Sequence, residues 1–383
     1  MTVAGYKGFS NTDFARSAAT SLARHVREQE DAWMKNFQMG ALLESNGRIV
    51  TNAGGRGFDW PVQYRLHSIE GNTGETARNF ARRNLWKTAS LEYRGYQATD
   101  AIFYKEFLEN RGPEGIVKVY DQFVQRLEKS MKQGLGPEYY VDGSATGNEQ
   151  SWHGLESMFG CTQTINSSTG AARTANAADY VGYPNDTYAG LSTVLGNYGG
   201  ENESNVVWPS GVADPEFDFW SPLLVNYTCT GFSGATDTWV AQGDEAMRYA
   251  IIHSQRNATM DGQITNIVLA RGLYMDLLNL LDGREQIQVI PGDPAAGSLR
   301  TLGFKNVVSF DGVDVSWEGA VPTNVGYGYN INNIQLLSMD DSLFRSEGPE
   351  YQIESQAFVA VVSTLSNLKF ASPRNFFKLL SLA

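Results

Sequence analysis

Two acidic side chains, Glu216 and Asp218, are the residues whose type and spacing come nearest to catalytic chemistry in this sequence. A glycosidase needs two carboxyl groups facing each other across a cleft, with an apolar wall that raises the pKa of one of them. Here the acids alternate with Phe217 and Phe219, which is the pattern of the solvent-facing side of an extended segment. A carbohydrate-active enzyme that uses Glu216 or Asp218 stays an alternative, but the pattern favours an ordinary surface strand.

Other catalytic and metal-binding motifs are absent from the sequence. The four histidines and two cysteines show no CxxC or HExxH spacing, and no EF-hand loop occurs, so we expect no metal site. There is no GxSxG elbow, no phosphate-binding loop and no GxGxxG, so no catalytic residue and no cofactor are predicted. His153 is interpreted as an ordinary polar residue, and Cys161 and Cys229 as free thiols in a reducing compartment. These absences favour a structural protein over an enzyme.

The composition describes a folded chain with an unusually lightly charged surface. Of the 383 residues, 42% are hydrophobic, which is enough for a packed core, and 19% are charged, against roughly 25% in an average globular protein. The net charge of −12 argues against a general nucleic-acid coat. The longest apolar run, 358–362, is far shorter than the ~20 residues of a membrane span. We therefore expect a soluble protein made and kept inside a cell.

Charge is divided between two blocks of opposite sign. Residues 46–96 hold eight basic and four acidic side chains, for a net charge of +4, whereas residues 137–240 hold twelve acids and one base, Arg173, for a net charge of −11. Opposite blocks in one chain can steer copies of the protein towards each other. The alternative, that each block is only a solvated surface, stays open at this point.

The basic block contains a predicted long hairpin. Along residues 58–66 apolar and polar side chains alternate, and a second extended run follows at 86–96, after an arginine-rich turn region at 71–83. The apolar face of the first strand consists of Phe58, Trp60, Val62, Tyr64 and Leu66. Because a two-stranded hairpin is marginally stable alone in water, this face must rest on the chain's own core or on another molecule. We expect it to lie on a neighbouring subunit.

The rest of the chain alternates between helices and strands. The spacing of apolar residues predicts helices at 12–37, 113–133, 242–256 and 272–281, and the helix at 113–133 is expected to end at the glycines and proline of 134–137. Strands are predicted at 264–270, 286–290, 307–310, 313–317 and 358–370. Residues 142–240 are expected to form irregular β-structure with long loops.

This order of elements resembles the major capsid proteins of tailed bacteriophages, which have the Hong Kong 97-like α+β fold. Three segments support the resemblance: SIEGNTGETARNF at 68–80, LEYRGY at 91–96 and SPRNFFK at 372–378. The resemblance covers nearly the whole chain. It implies an N-terminal arm (1–45), an extended E-loop hairpin (46–97), a P-domain (98–139) with a spine helix (113–133), an A-domain (140–344) and a return to the P-domain (345–383).

The resemblance also implies a function, a location and a set of partners. The chain would assemble with itself, as hexamers and pentamers, into an icosahedral shell around the phage genome; it would be made in the host cytoplasm and reside in the virion. Double-stranded DNA would fill the shell without sequence-specific binding, and scaffolding, portal and decoration proteins are further candidate partners; no membrane is involved. Because no N-terminal coiled coil is seen, a scaffold would be a separate protein or none is needed. An encapsulin-like nanocompartment shell protein is the main alternative.

The candidate residues for contacts between subunits come from the hairpin and from the acidic block. They are Phe58, Trp60, Val62 and Tyr64 on the apolar face, the basic residues Arg78, Arg82, Arg83 and Lys87, and the acids Asp214, Glu216 and Asp218. Lys87 is the one lysine of the hairpin, and we expect it not to form a covalent cross-link between subunits.

Overall fold

The structure of the chain is a computed structural model. The residues that it describes are 37–63, 71, 74, 85–104, 127, 130–131, 134–160, 164–166, 172–174, 180–182, 186–193, 220–234, 236–255, 262–282 and 307–382. The predicted strand at 286–290 lies outside these residues. So do the predicted helix at 12–37, apart from its last residue, and most of the predicted spine helix at 113–133.

The described part of the chain consists mainly of strands, with three α-helices and three 3₁₀ turns. The helices are α1 (Gln38–Ser45), α2 (Trp239–Ser254) and α3 (Arg271–Asp282), with 3₁₀ turns at Leu155–Met158, Ile331–Asn333 and Pro373–Asn375. The strands are β1 (Ile49–Val50), β2 (Gly57–Gln63), β3 (Trp86–Glu92), β4 (Arg94–Phe103), β5 (Thr164–Asn166), β6 (Ala172–Thr174), β7 (Val181–Gly182), β8 (Thr187–Tyr188), β9 (Leu191–Ser192), β10 (Leu223–Asn226), β11 (Asn266–Leu269), β12 (Val307–Phe310), β13 (Val313–Trp317), β14 (Gly326–Tyr329), β15 (Ile334–Ser338), β16 (Arg345–Gln352), β17 (Ala357–Phe370) and β18 (Phe377–Leu380). The predicted helices at 242–256 and 272–281 are confirmed by α2 and α3.

The first sheet is organised around β17. This strand is 14 residues long, or about 46 Å at ~3.3 Å per residue. β4 runs antiparallel along one edge of it, from Arg94 opposite Ser366 to Phe103 opposite Ala357. On the other edge β16 pairs with the first half of β17 and β15 with the second half, and β1 adds parallel to β15. The predicted strand at 358–370 is confirmed.

The second sheet lies deeper in the protein. Its strand order is β12-β13-β11-β14-β18-β10-β7, and every residue of β10, β11 and β14 is buried. Helix α2 packs against β10, β18 and α3. The predicted turn between β12 and β13 is confirmed, because Asp311 and Gly312 both have positive φ angles, of 47° and 82°, as two-residue hairpin turns require.

The two sheets do not follow the predicted boundary between residues 344 and 345. β15, from the segment predicted as A-domain, pairs with β17 in the first sheet. β18, from the segment predicted to return to the P-domain, lies between β10 and β14 in the second sheet. Phe377 and Leu379 of β18 are fully buried, and the second sheet surrounds them. The chain thus passes from the first sheet to the second through residues 371–376.

The predicted end of the spine helix is also corrected. Residues 134–138 are helical, so neither the two glycines nor Pro137 ends the helix. The chain leaves the helix one residue later, where the amide of Tyr140 donates to the carbonyl of Pro137. A proline removes one donor, but it does not prevent the following residue from completing a helical turn.

The core shared by the two sheets is rich in aromatic side chains. The largest fully buried residues are Trp152, Trp220, Tyr139, Tyr188, Tyr327, Tyr329, Phe159, Phe370, Phe376 and Phe377. The hydroxyl of Tyr188 accepts from the amide of Phe370 at 2.9 Å, and the indole of Trp220 donates to the carbonyl of Tyr188 at 3.3 Å. The polar atoms of Tyr188 and Trp220 are thus paired, which lets these two rings be buried deeply.

The described part of the predicted hairpin, β2 and β3, is named here the hairpin base. Its pairing is confirmed, with Trp60 opposite Ala89 and Phe58 opposite Leu91, and exposure alternates along both strands. The expectation that its apolar face lies on a neighbouring subunit is wrong for Trp60. That ring is only 7% exposed in the single chain, which buries it against its own core.

The partners of Trp60 come from distant parts of the sequence. Its ring centroid lies 6.4 Å from that of Trp220 and 6.5 Å from that of Tyr188. The indole N–H donates to the carbonyl of Ala371 at 3.3 Å, and the Lys369 ammonium sits 5.1 Å above the ring. The alternation of residues 58–66 indicates an apolar face, but it contains no information about which segment covers that face.

Hydrogen bonds also attach β3 of the hairpin base to the rest of the chain. The amide of Ser90 donates to the carbonyl of Ala189 at 3.0 Å, and the side-chain amide of Asn367 donates to the carbonyl of Glu92 at 2.7 Å. The orientation of the hairpin base is therefore set by contacts within one subunit.

The two tryptophans of the hairpin base provide a matched test of this packing. Trp60→Ala should lower the free energy of unfolding by ~3–5 kcal/mol, because a buried ring and its contacts are lost. Trp86→Ala, on the opposite face where the ring is 52% exposed, should change it by about 0.5 kcal/mol or less. Urea unfolding followed by circular dichroism measures both. Equal costs for the two variants would mean that the hairpin base is not part of the core.

Candidate assembly surfaces

The outer face of the hairpin base presents one large apolar side chain to solvent. Trp86 lies opposite Gln63 at the end of the described pairing, among exposed residues such as Thr88 and Ser90. An exposed tryptophan on an otherwise polar strand face is unusual for a monomer surface and common at protein interfaces. The sequence analysis named residues on the opposite, apolar face of the hairpin and missed Trp86. The sequence does contain a sign of it, since Trp86 is an apolar residue at a position of β3 where the alternation otherwise places polar residues.

The other hairpin candidates within the described residues have mixed environments. Phe58 and Val62 are half-buried and pack against the core beside Trp60, and the ring of Phe58 contacts that of Tyr93 at 5.4 Å. Lys87 is half-buried opposite Val62. The pairing therefore brings Phe58, Trp60, Val62 and Lys87 together on one face, but that face is turned towards the body of the same chain.

The remaining sequence candidates are not brought together by the described structure. Seven of them lie outside the described residues: Tyr64, Arg78, Arg82, Arg83, Asp214, Glu216 and Asp218. The ion pair at the hairpin base, Arg56 to Glu92 at 3.3 Å, is exposed on both sides. Exposed pairs of this kind contribute ~0–1 kcal/mol, so it has little influence on the fold.

A second surface lies at the end of the first sheet, where β16 turns into β17 beside the end of β4. We call it the sheet tip; its residues are Phe103, Tyr104, Tyr351, Ile353 and Phe358. The ring of Tyr351 contacts Tyr104 at 6.4 Å and Phe358 at 5.2 Å, and Ile353 is 81% exposed. The cluster could not be found from the sequence, because it combines residues about 250 positions apart that only the register of β4, β16 and β17 brings together.

A groove of about 530 Å³ lies between β4 and the described helical residues at 127, 130–131 and 134–138. Tyr96 lies at one end of it and donates to the carboxylate of Glu138 at 2.5 Å, while accepting from the amide of Trp152 at 2.6 Å. Burial, followed by the hydrogen bond to Glu138, raises the pKa of this hydroxyl. The polar groups at this end of the groove thus satisfy each other.

Burial shifts the pKa values of two ionisable groups near the hairpin base, His153 and Asp186. The amide of His153 donates to Asn367 Oδ1 at 3.0 Å, and its ring contacts that of Tyr188 at 6.3 Å. Burial and, less strongly, Arg94 lower the pKa of His153 to about 4, so the imidazole is neutral at physiological pH. Burial likewise raises the pKa of Asp186 to about 6. His153 is therefore an ordinary part of the core.

Within the described ranges, no three His, Cys, Asp or Glu side chains are grouped so that they could hold a metal ion. The thiol of Cys229 is buried and accepts from the amide of Gly231 at 3.3 Å, whereas Cys161 lies outside the described residues. Among the helices that the structure describes, none combines the length and the apolar character of a membrane span.

The chain matches no protein-family model and none of the curated proteins. Among solved structures it is similar to a chain of the cyanophage A-1(L) capsid asymmetric unit, with 14% identity and a TM-score of 0.53, over 87% of this chain and 89% of that chain. It is also similar to capsid chains of a native GTA particle (11% identity, TM-score 0.49, 90% of each chain) and of cyanophage P-SCSP1u (11% identity, TM-score 0.47, 87% and 85%). The likeness to the A-1(L) chain shows a shared fold. The α+β fold of a phage capsid protein, which the sequence resemblance implies, is therefore confirmed.

Proposed function

We propose that this chain is a structural protein, not an enzyme, which self-assembles as hexamers and pentamers into the icosahedral shell that encloses a phage genome. The observation on which the proposal rests is the fold shared with the cyanophage A-1(L) capsid chain over 87% of this chain. A shared fold alone does not establish a function. The exposed apolar surfaces of a lightly charged protein add independent support, because such surfaces are expected where copies meet.

The proposed shell subunit has two main domains. Residues 98–139, with a spine helix at 113–133, and residues 345–383 remain the proposed P-domain, and residues 140–344 remain the proposed A-domain. Residues 1–45 remain the proposed N-terminal arm and 46–97 the proposed E-loop. Phage DNA, scaffolding, portal and decoration proteins remain proposed partners, with a place in the virion after assembly in the host cytoplasm.

Contacts between copies would be made by the part of the hairpin beyond Gln63, since the hairpin base is buried on its own subunit. The basic side chains proposed to contact a neighbour are Arg78, Arg82 and Arg83, and the acids proposed to receive them are Asp214, Glu216 and Asp218. Arginine can bind a carboxylate through two parallel hydrogen bonds. Each exposed pair would contribute only ~0–1 kcal/mol, but a shell repeats the contact in every subunit. Salt screens such contacts over ~8–10 Å.

The direct test is assembly of the purified chain in the absence of any substrate. We expect light scattering and negative-stain imaging to find closed, uniform particles or their pentamers and hexamers, with lower yield at high salt. A clean monomer at high concentration, unchanged by a scaffolding partner, would contradict the proposal.

The content of the particles separates the two shell functions. Particles from infected cells should hold nuclease-resistant double-stranded DNA if the chain forms a phage capsid. Particles that hold a protein cargo bound through a short peptide, and no DNA, would instead support the encapsulin-like alternative.

The sheet tip offers a test of the subunit contacts. Ile353→Asp should prevent closed particles because it places a charge in the exposed apolar cluster, while the unfolding free energy changes by about 0.5 kcal/mol or less at so exposed a site. The matched control is Ile252→Asp on α2, where the side chain is 67% exposed outside the sheet tip; it should leave assembly intact. Normal particles from Ile353→Asp would exclude the sheet tip as a contact.

A further inference from the structure

Glu318 is a buried carboxyl group that has a single hydrogen-bond partner. It follows β13 directly and is only 7% exposed. The hydroxyl of Tyr140 donates to its Oε2 at 2.8 Å, whereas its Oε1 is buried without a partner among the described residues. A carboxylate accepts several hydrogen bonds in water, so Glu318 loses most of its solvation on folding.

The described groups around Glu318 supply no counter-charge. Tyr139 and Tyr140 face it from the segment after the helical residues 134–138, and Tyr329 faces it from β14. Arg271 of α3 lies over the ring of the neighbouring Trp317, 5.2 Å from its centroid, and no described residue forms an ion pair with Glu318. Asp314 of β13 is a further acid acting on Tyr329. The site therefore favours the neutral carboxylic acid.

A half-buried acid nearby, Glu156, has the partners that Glu318 lacks. Glu156 forms an ion pair with Lys378 and accepts from the hydroxyl of Tyr327 at 2.5 Å, so both of its oxygens have donors. Tyr327 and Tyr140 stack at 5.8 Å, which places the two acids on either side of one aromatic pair. Glu156 is satisfied as a carboxylate, whereas Glu318 is not.

Glu318 and Tyr140 connect two parts of the subunit. Tyr140 lies two residues beyond the helical residues 134–138, while the amide of Glu318 donates to the carbonyl of Leu269 in β11 at 3.4 Å. Their hydrogen bond therefore ties the segment after the helical residues 134–138 to the second sheet.

We propose that Glu318 is a proton-dependent switch at this contact between residues 134–140 and the second sheet. The folded contact is favoured while the carboxyl group is protonated. It is destabilised when ionisation leaves a buried charge without a cation, although the hydrogen bond from Tyr140 itself favours the carboxylate. Burial raises the pKa of Glu318 from 4.5 to about 7, against the smaller opposing effect of the Tyr140 hydrogen bond. The inference concerns the single subunit and does not depend on the proposed shell function.

The raised pKa fixes the direction of the pH effect. Below about pH 4.5 both the folded and the unfolded chain hold the proton, so the site favours neither. Between about pH 4.5 and pH 7 the folded chain holds it and the unfolded chain does not, so the unfolding equilibrium constant rises up to about tenfold per pH unit. His153 acts in the opposite direction below its ordinary value of 6.5, and Asp186 acts in the same direction up to about pH 6. A comparison of variants is therefore needed to isolate Glu318.

The test compares the pH dependence of urea unfolding in the wild-type chain, Glu318→Gln and the control Glu354→Gln, which removes an exposed carboxyl group at the turn between β16 and β17. The ratio of the wild-type to the Glu318→Gln unfolding constant should rise roughly 30- to 100-fold between about pH 5 and pH 8. The same ratio for Glu354→Gln should stay constant within about twofold. Parallel profiles of the wild-type chain and Glu318→Gln would overturn the proposal.

Infrared spectroscopy of the native chain keeps the test decisive if Glu318→Gln does not fold. A protonated carboxylic acid has a C=O stretch that a carboxylate lacks, and this band should be present near pH 6 and disappear above about pH 8. Tyr140→Phe removes the one donor to the carboxylate, so it should move the disappearance of the band to higher pH. The proposal would be refuted if the band were already absent at pH 6 in the wild-type chain. It would also be refuted if Tyr140→Phe did not move the pH at which the band disappears.

Discussion

The packing of the Trp60 ring against Trp220 and Tyr188 joins the hairpin base to the rest of the molecule. Through this contact and the hydrogen bond to Ala371, the hairpin base touches the point where the chain crosses from the first sheet to the second. A buried tryptophan of this kind contributes several kcal/mol, which is a large share of the stability of an ordinary domain. The orientation of the hairpin base is therefore fixed by contacts within one subunit.

This constraint divides the proposed subunit into a part that folds and a part that assembles. The hairpin base, both sheets and α2 and α3 bury their apolar faces within the chain. Trp86 and the sheet tip expose theirs. A subunit that must fold before it assembles needs this separation. Contacts between copies form only at sufficient protein concentration, whereas contacts within one chain do not depend on concentration.

Much of the fold could be predicted from the sequence because its signals are local. The alternation at Phe58 and Trp60, the Asp311–Gly312 turn and the apolar spacing of α2 each depend on neighbouring residues, and all three are confirmed. The prediction of what covers Trp60 was wrong, and the pairing of β18 in the second sheet was not predicted, because both depend on pairing between distant segments. The sheet tip, the exposure of Trp86 and the isolation of Glu318 were missed for the same reason. A glutamate after a strand looks like a surface residue until the fold places three tyrosines around it. The charged candidates at 78–83 and 214–218 lie outside the described residues and remain predictions.

Cryo-electron microscopy of assembled particles tests the central claim most directly, because it distinguishes contacts within a subunit from contacts between subunits. The account predicts that in every subunit Trp60 rests on Trp220 and Tyr188 of its own chain. It also predicts that Arg82 and Arg83 lie on a neighbouring chain, near its acidic segment. A reconstruction in which Trp60 is inserted into a neighbour, or in which the whole hairpin folds back on its own subunit, would contradict the account.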